Sequence, residues 1–188
     1  MLSGIYTKRI VSGVCAGFFG FLIVWLGGWW FTFSVCLIVH LALLEFFRMA
    51  EFTGIRPATK TTLLACQLLL ITTHWGIGEG FISVISACVL PLTGAAICGW
   101  LLLQPKTGSI SDIAASIFGL FYLGFLPSHW IKLRNLDALN SSLNSTLLPA
   151  QSSEILTIGF TITLCTCLMI VAFDIGSYFF GRLFGRTE

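Results

Sequence analysis

Residues 11–47 read VSGVCAGFFGFLIVWLGGWWFTFSVCLIVHLALLEFF, and Glu45 is the single charged residue among them. A helix that crosses the roughly 30 Å hydrocarbon core of a bilayer needs about 20 apolar residues. A membrane β-barrel would instead show segments of roughly ten residues alternating polar and apolar. Here the apolar runs are continuous, so the stretch reads as two helices, about 10–26 and 29–47, broken at Gly27–Gly28. A break so short folds them into an antiparallel hairpin. Trp25, Trp29 and Trp30 gather at the turn, where aromatic residues mark a headgroup boundary.

The rest of the chain extends the pattern. It has 188 residues, 56% hydrophobic and 10% charged, with mean hydropathy +0.95. A soluble domain carries about 25% charged residues. Four further spans follow at about 61–76, 81–103, 113–133 and 155–173. The reading is an all-α, polytopic integral membrane helical bundle of about six transmembrane helices, a single transmembrane domain over 1–188. The N-terminal apolar run lacks a small-residue cleavage site and reads as a first span, not a removable signal. The seven cysteines all lie in apolar runs, where they behave as small hydrophobes and indicate no disulfide framework. Cys165 and Cys167 are spaced too closely for an ordinary zinc pair. Gly13 and Gly17 form a small-xxx-small pair, which predicts close helix packing.

A net charge of +2 is too small to argue for nucleic acid, and the placement of charge matters more. Lys8, Arg9, Arg48, Arg56, Lys60, Lys106, Arg182 and Arg186 fall on one side of the predicted spans, and Lys132 and Arg134 on the other. Eight against two places both termini and the basic loops in the cytoplasm. Residues 135–153, NLDALNSSLNSTLLPAQSS, then form an outer polar linker. Its sequons at Asn140 and Asn144 matter only in a secretory-pathway protein, and an Asn/Ser-rich connector accounts for them as well.

Ionisable groups at membrane depth are costly and invite explanation. Glu45 lies just inside the cytoplasmic end of the second span, either functional or reaching toward Arg48 one turn on. His40, one turn deeper, reads as a packed histidine. His74, Glu79 and His129 sit at the outer edge. Asp112, in SISD ahead of an apolar run, reads as part of a helix cap.

The closing stretch AFDIGSYFFGRLFGRTE, 172–188, ends an apolar span with a cytoplasmic-edge motif over 174–186. At about 100° per residue, with Asp174 at zero, Tyr178 falls near 40°, Arg182 near 80°, Gly181 near 340° and Gly185 near 20°. A carboxylate, a phenol, a guanidinium and two glycines therefore share one helix face, with phenylalanines and a leucine opposite. The glycines predict a groove where a ligand or another backbone comes close. An interfacial helix end with snorkelling arginines explains Arg182 and Arg186. It does not explain Asp174.

DIGSYFFGRLFGR, 174–186, resembles the Asp-x-x-(Ala/Ser)-Tyr-x-x-Gly-Arg-x-x-Gly segment of bacterial phosphatidate cytidylyltransferases. KRIVSGV with GFFGFLIVWLGGWWF and LALLEFFRM is similar to that family's opening hairpin, and DIAASIFGLFYLGFLPSHWIKLR to its mid-chain span. The likeness covers most of the chain. It implies transfer of CMP from CTP to phosphatidic acid, giving CDP-diacylglycerol and pyrophosphate, at a bacterial inner membrane. It also implies a Mg²⁺ cofactor. Tyr178, Gly181, Arg182, Gly185, Arg186 and Glu45 are then the substrate-binding candidates. Asp174 is the metal candidate, or else orients Arg182; no catalytic residue is assigned. The family's Ser-Pro-x-Lys-Thr-x-Glu and Lys-Asp…Gly-His-Gly-Gly…Asp-Arg-x-Asp segments are absent from these residues. The expectation is therefore either an N-terminal part of such an enzyme or a shortened member that no longer catalyses alone, with a homodimer left open. The competing readings are a small multi-span transporter, with Glu45, His40 and the Asp174 face lining a polar path, and a non-catalytic membrane scaffold.

Overall fold

Gly27 and Gly28 turn the chain with φ of +60° and +50°, angles that side-chain-bearing residues rarely adopt. A Cβ on Gly27 would also run into the guanidinium of Arg134, whose Cζ would lie 2.8 Å away. The computed structural model describes residues 2–76, 80–104, 108–137 and 157–185, with side chains for 13–76, 88–104, 108–137, 157–181 and 185. Lys106, Arg186, Glu79 and both sequons lie outside the described residues, as do the side chains of Lys8, Arg9 and Arg182.

Among the described residues the fold is helical with no strand. Leu2–Leu26 (α1) and Gly28–Phe52 (α2) form the hairpin, followed by Thr59–Trp75 (α3) and Gly80–Leu103 (α4). Ile110–Phe118 (α5), a π-helical segment Gly119–Phe125 and Leu126–Arg134 (α6) continue one another as a single rod, and Ile158–Phe184 is α7. Gly28–Phe52, Ile110–Arg134 and Ile158–Gly181 are long and apolar enough to cross a membrane. Gly13–Leu26 and Cys88–Leu103 are shorter apolar stretches.

The core sits where α3 packs between α2, α4 and the π-containing rod. Leu43 and Phe47 of α2, Cys66 and Leu70 of α3, Ile97 and Leu101 of α4, and Ile131 of α6 are almost completely enclosed. Glycine permits the closest approaches. A Cβ on Gly124 would stand 2.6 Å from Cys66 Sγ, and one on Gly119 3.0 Å from Phe47 Cζ. Most buried hydroxyls are satisfied within their own helices, as apolar surroundings demand, with Thr62 Oγ1 the one buried side-chain oxygen among the described residues that lacks a partner. Thr73 donates to Leu69 O at 2.7 Å, Ser128 to Phe125 O at 2.6 Å and Thr163 to Gly159 O at 2.7 Å. Between helices, Gln67 Nε2 donates to Cys36 O at 3.1 Å.

Two sets of side-chain to backbone bonds hold the ends. At one end, Ser109 and Asp112 form a capping box on α5, with Ser109 N–H donating to Asp112 Oδ2 at 2.7 Å. Asp112 Oδ1 also accepts from the Arg56 N–H at 2.7 Å, and Ser116 Oγ accepts from the Ala58 N–H at 2.9 Å. The α2–α3 turn is thereby stapled to α5. At the Gly27 end, Arg134 Nε donates to Val24 O at 2.8 Å, and its guanidinium stands 5.5 Å from the centre of the Phe160 ring. Asp137 receives the Ile158 and Gly159 N–H groups at 3.1 and 2.9 Å, satisfying donors that every helix N-terminus leaves free.

Three expectations change. Residues 135–137 are not linker, because Asp137 caps α7 from the end of the preceding helical turn. Gly13 and Gly17 do not mark close packing, since a Cβ on either meets nothing within 4 Å. His40 is exposed on α2, not packed.

Candidate functional site

α7 is anchored at its start, and its second half is largely exposed among the described residues. Phe160 packs edge-on against Trp25 at 5.7 Å and Phe21 at 6.5 Å, and Thr163 is fully buried. Further along, Leu164, Leu168 and Val171 face Gly20 and Gly17 of α1 across an apolar groove. The helix therefore runs antiparallel to α1, away from the Gly27 turn. From Leu168 to Gly181 every residue is exposed except half-buried Gly176. The chain remains helical there because its donors are met within the helix, and it ends at Phe184.

This geometry holds Asp174 and Tyr178 on one face of an exposed helix. Asp174 is one turn before Tyr178, which is 64% exposed. Ser177 Oγ donates to the Asp174 carbonyl at 2.9 Å, and the Tyr178 ring lies edge-on to Phe179. A Cβ on Gly181 meets nothing within 4 Å, so this part of the face is open to an incoming group. Arg182 is on the same helix, on the next turn. Gly185 is not. The wheel carries it onto the face, but α7 ends one residue earlier, and Gly185 is extended (φ −64°, ψ 121°) with its N–H donating to Gly181 O at 2.9 Å.

Glu45 is exposed near the far end of α2, and among the described residues it has no partner, Arg48 included. The described side chains do not bring Glu45 and Asp174 into contact. His74 is half-buried, its Nδ1 2.7 Å from Thr32 Oγ1 and its ring 4.2 Å from that of Trp29. It ties α3 to α2. Among the described residues no three His, Cys, Asp or Glu side chains cluster as a metal site. Asp174 is thus a lone carboxylate. That donor set still suits Mg²⁺, which keeps several waters and takes one or two carboxylates together with substrate phosphates.

Sequence reasoning missed the Asp112–Arg56 staple and the Arg134–Val24 and Asp137–α7 latches. Asp112 was visible as a capping residue, but its second bond spans 56 positions, and nothing local signals it. Arg134 was visible only as one of two cations on the wrong side of the charge count.

Long apolar helices packed through glycine contacts, with most buried hydroxyls bonded inside their own helix, define a multi-span helical membrane protein. One acid-bearing face lies on the exposed second half of its last described helix. The chain belongs to the cytidylyltransferase family, whose model matches residues 7–188. It is 38% identical over 193 residues to a phosphatidate cytidylyltransferase of Synechocystis sp., covering 97% of this chain and 62% of that protein. It is 31% identical to the chloroplastic phosphatidate cytidylyltransferases 5 and 4 of Arabidopsis thaliana, covering 97% and 96% of this chain and 47% of each relative. The chain thus spans about half to three-fifths of the length of the curated relatives it matches. No solved structure matches it.

Proposed function

We propose that this protein supplies the membrane-helical part of a phosphatidate cytidylyltransferase, transferring CMP from CTP to phosphatidic acid. A phosphate oxygen of phosphatidic acid attacks the α-phosphorus of CTP. The bond from that phosphorus to the oxygen bridging the β-phosphate breaks, giving CDP-diacylglycerol and pyrophosphate. The observation that carries this reading is the family match over residues 7–188, together with 38% identity to a protein of that name across nearly the whole chain.

The exposed end of α7 supports the reading chemically. The charge count of the sequence places this end on the cytoplasmic side, with all six rods spanning and both termini inside. CTP is cytosolic, and a lipid phosphate lies at the same depth. Arg182 suits a phosphate because its planar fork meets two oxygens at once. Gly181 leaves room for an approaching headgroup, and Tyr178 offers a hydroxyl one turn away. Asp174 is the residue that would hold Mg²⁺, and bound there the ion offsets charge on the triphosphate. Glu45 and Arg186 complete the candidate set, which the sequence resemblance supplies. The membrane is the bacterial inner membrane in this reading.

The test is incorporation of labelled CTP into lipid by membranes containing the product of the complete gene, with Mg²⁺ and phosphatidic acid. Label in a lipid product, dependent on both substrates and lost in Asp174→Asn, supports the assignment. Absence of label with wild-type protein overturns it.

A further inference from the structure

A second feature lies toward the opposite end of α7. Between the π-containing rod and α7 is a cavity of about 710 Å³, within the roughly 300–1,000 Å³ range of small-molecule sites. Its walls are apolar, formed among others by Phe125, Leu133, Leu136 and the Thr166 face of α7. The π-helical segment shapes one wall. Phe121 and Phe125 stack there with ring centres 5.3 Å apart, and Phe125 fixes His129 edge-on at 4.7 Å.

One cation lines this apolar slot. Lys132 is half-buried and, among the described residues, has neither a hydrogen bond nor an ion pair. Its neighbours in the chain are accounted for: Arg134 is engaged with Val24 O and Phe160, and His129 Nδ1 donates to Phe125 O at 3.1 Å. A partly desolvated ammonium needs an anion or water. Lysine beside an apolar surface at a membrane boundary lays its stem along that surface and keeps its charge at headgroup level. Trp130 in the same wall is the residue type that sits at that level.

We propose that this cavity binds one anionic phospholipid, its acyl chain in the slot between the rod and α7 and its phosphate on Lys132. An anionic headgroup is favoured over a zwitterionic one because the latter carries its own cation and leaves Lys132 only partly compensated. The site is separate from the Asp174 face. Lys132 belongs to the end where Arg134 O meets Gly159, and the rise along α7 from Gly159 to Asp174 is roughly 22 Å. The proposal does not depend on the reaction assigned above.

The experiment uses the full chain in vesicles containing phosphatidylglycerol or phosphatidylcholine with a photoreactive group on the acyl chain, and maps labelled peptides. Phosphatidylglycerol is expected to label residues 121–136 and the Thr166 region more heavily. Lys132→Gln is expected to reduce that labelling about five-fold, the effect of one lysine at an anionic membrane surface, with phosphatidylcholine labelling unchanged. Thr166→Phe, which fills the slot, is expected to reduce labelling by both lipids while helical content stays at the wild-type level. Equal labelling by the two lipids, indifference to Lys132→Gln, or cross-links from the cavity to a second protein copy would overturn the proposal.

Discussion

Gly124 sets the distance between α3 and the π-containing rod, and replacing it tests the packing directly. A Cβ at that position stands 2.6 Å from Cys66 Sγ, 3.3 Å from Cys66 Cβ and 3.6 Å from its Cα, and Cys66 is completely enclosed. Ordinary contact begins near 3.4 Å, so the sulfur is the principal obstacle and the rest of the clash is slight. Forcing one methyl into a filled core costs about 1–3 kcal/mol, so Gly124→Ala should be less stable by that amount. Cys66→Ala removes the sulfur and leaves room for the added methyl. The double variant should therefore be more stable than the sum of the two single effects by about 1 kcal/mol, within the usual range for touching residues. Gly20→Ala is the control, because a Cβ there meets nothing within 4 Å. It should be neutral, or gain about 0.5–1 kcal/mol from helix propensity. Reversible unfolding in mixed micelles, followed by circular dichroism, gives all four values. If Gly124→Ala matches Gly20→Ala, or if the two core changes simply add, the close approach of α3 to the π segment is wrong.

Asp112→Asn keeps the shape of the side chain but turns one acceptor into a donor facing a backbone N–H, so Arg56 or Ser109 loses its partner. A hydrogen bond to a charged group contributes about 1.5–3 kcal/mol, and a loss near 2 kcal/mol is expected in the same unfolding assay. Protease accessibility of the α2–α3 turn should rise with it. Asp137→Ala removes the cap on α7 and should cost about 0.5–2 kcal/mol. Hydrogen exchange should report that loss first at Ile158 and Gly159, with α3 unaffected.

The helical class, the tight Gly27–Gly28 hairpin and the approximate positions of the apolar helices were readable because they follow from local properties, namely hydropathy, run length and the two-glycine break. The capping role of Asp112 was readable for the same reason. What escaped was long-range. A wheel treats a helix as endless, whereas the real helix stops at Phe184 and leaves Gly185 as its C-cap. A small-xxx-small spacing says that two glycines share a face and nothing about whether a neighbour lies against it. Gly13 and Gly17 have none within reach, while Gly119 and Gly124, five apart, take the close contacts. The two face different helices, Gly119 against Leu43 and Phe47 of α2 and Gly124 against Cys66 of α3.

The two ends of α7 follow from one arrangement. Its first turns are fixed by Asp137, Phe160 and buried Thr163, whereas Leu168 to Gly181 are exposed apart from half-buried Gly176. A helix needs only its own backbone bonds to persist in an apolar medium, so the exposed second half stays helical. It can carry Asp174 and Tyr178 on a face that the bundle leaves uncovered. Among the described residues that face is not packed against α2, and Arg134 and Asp137 hold the helix at its other end through Val24 O and the Ile158 and Gly159 N–H groups.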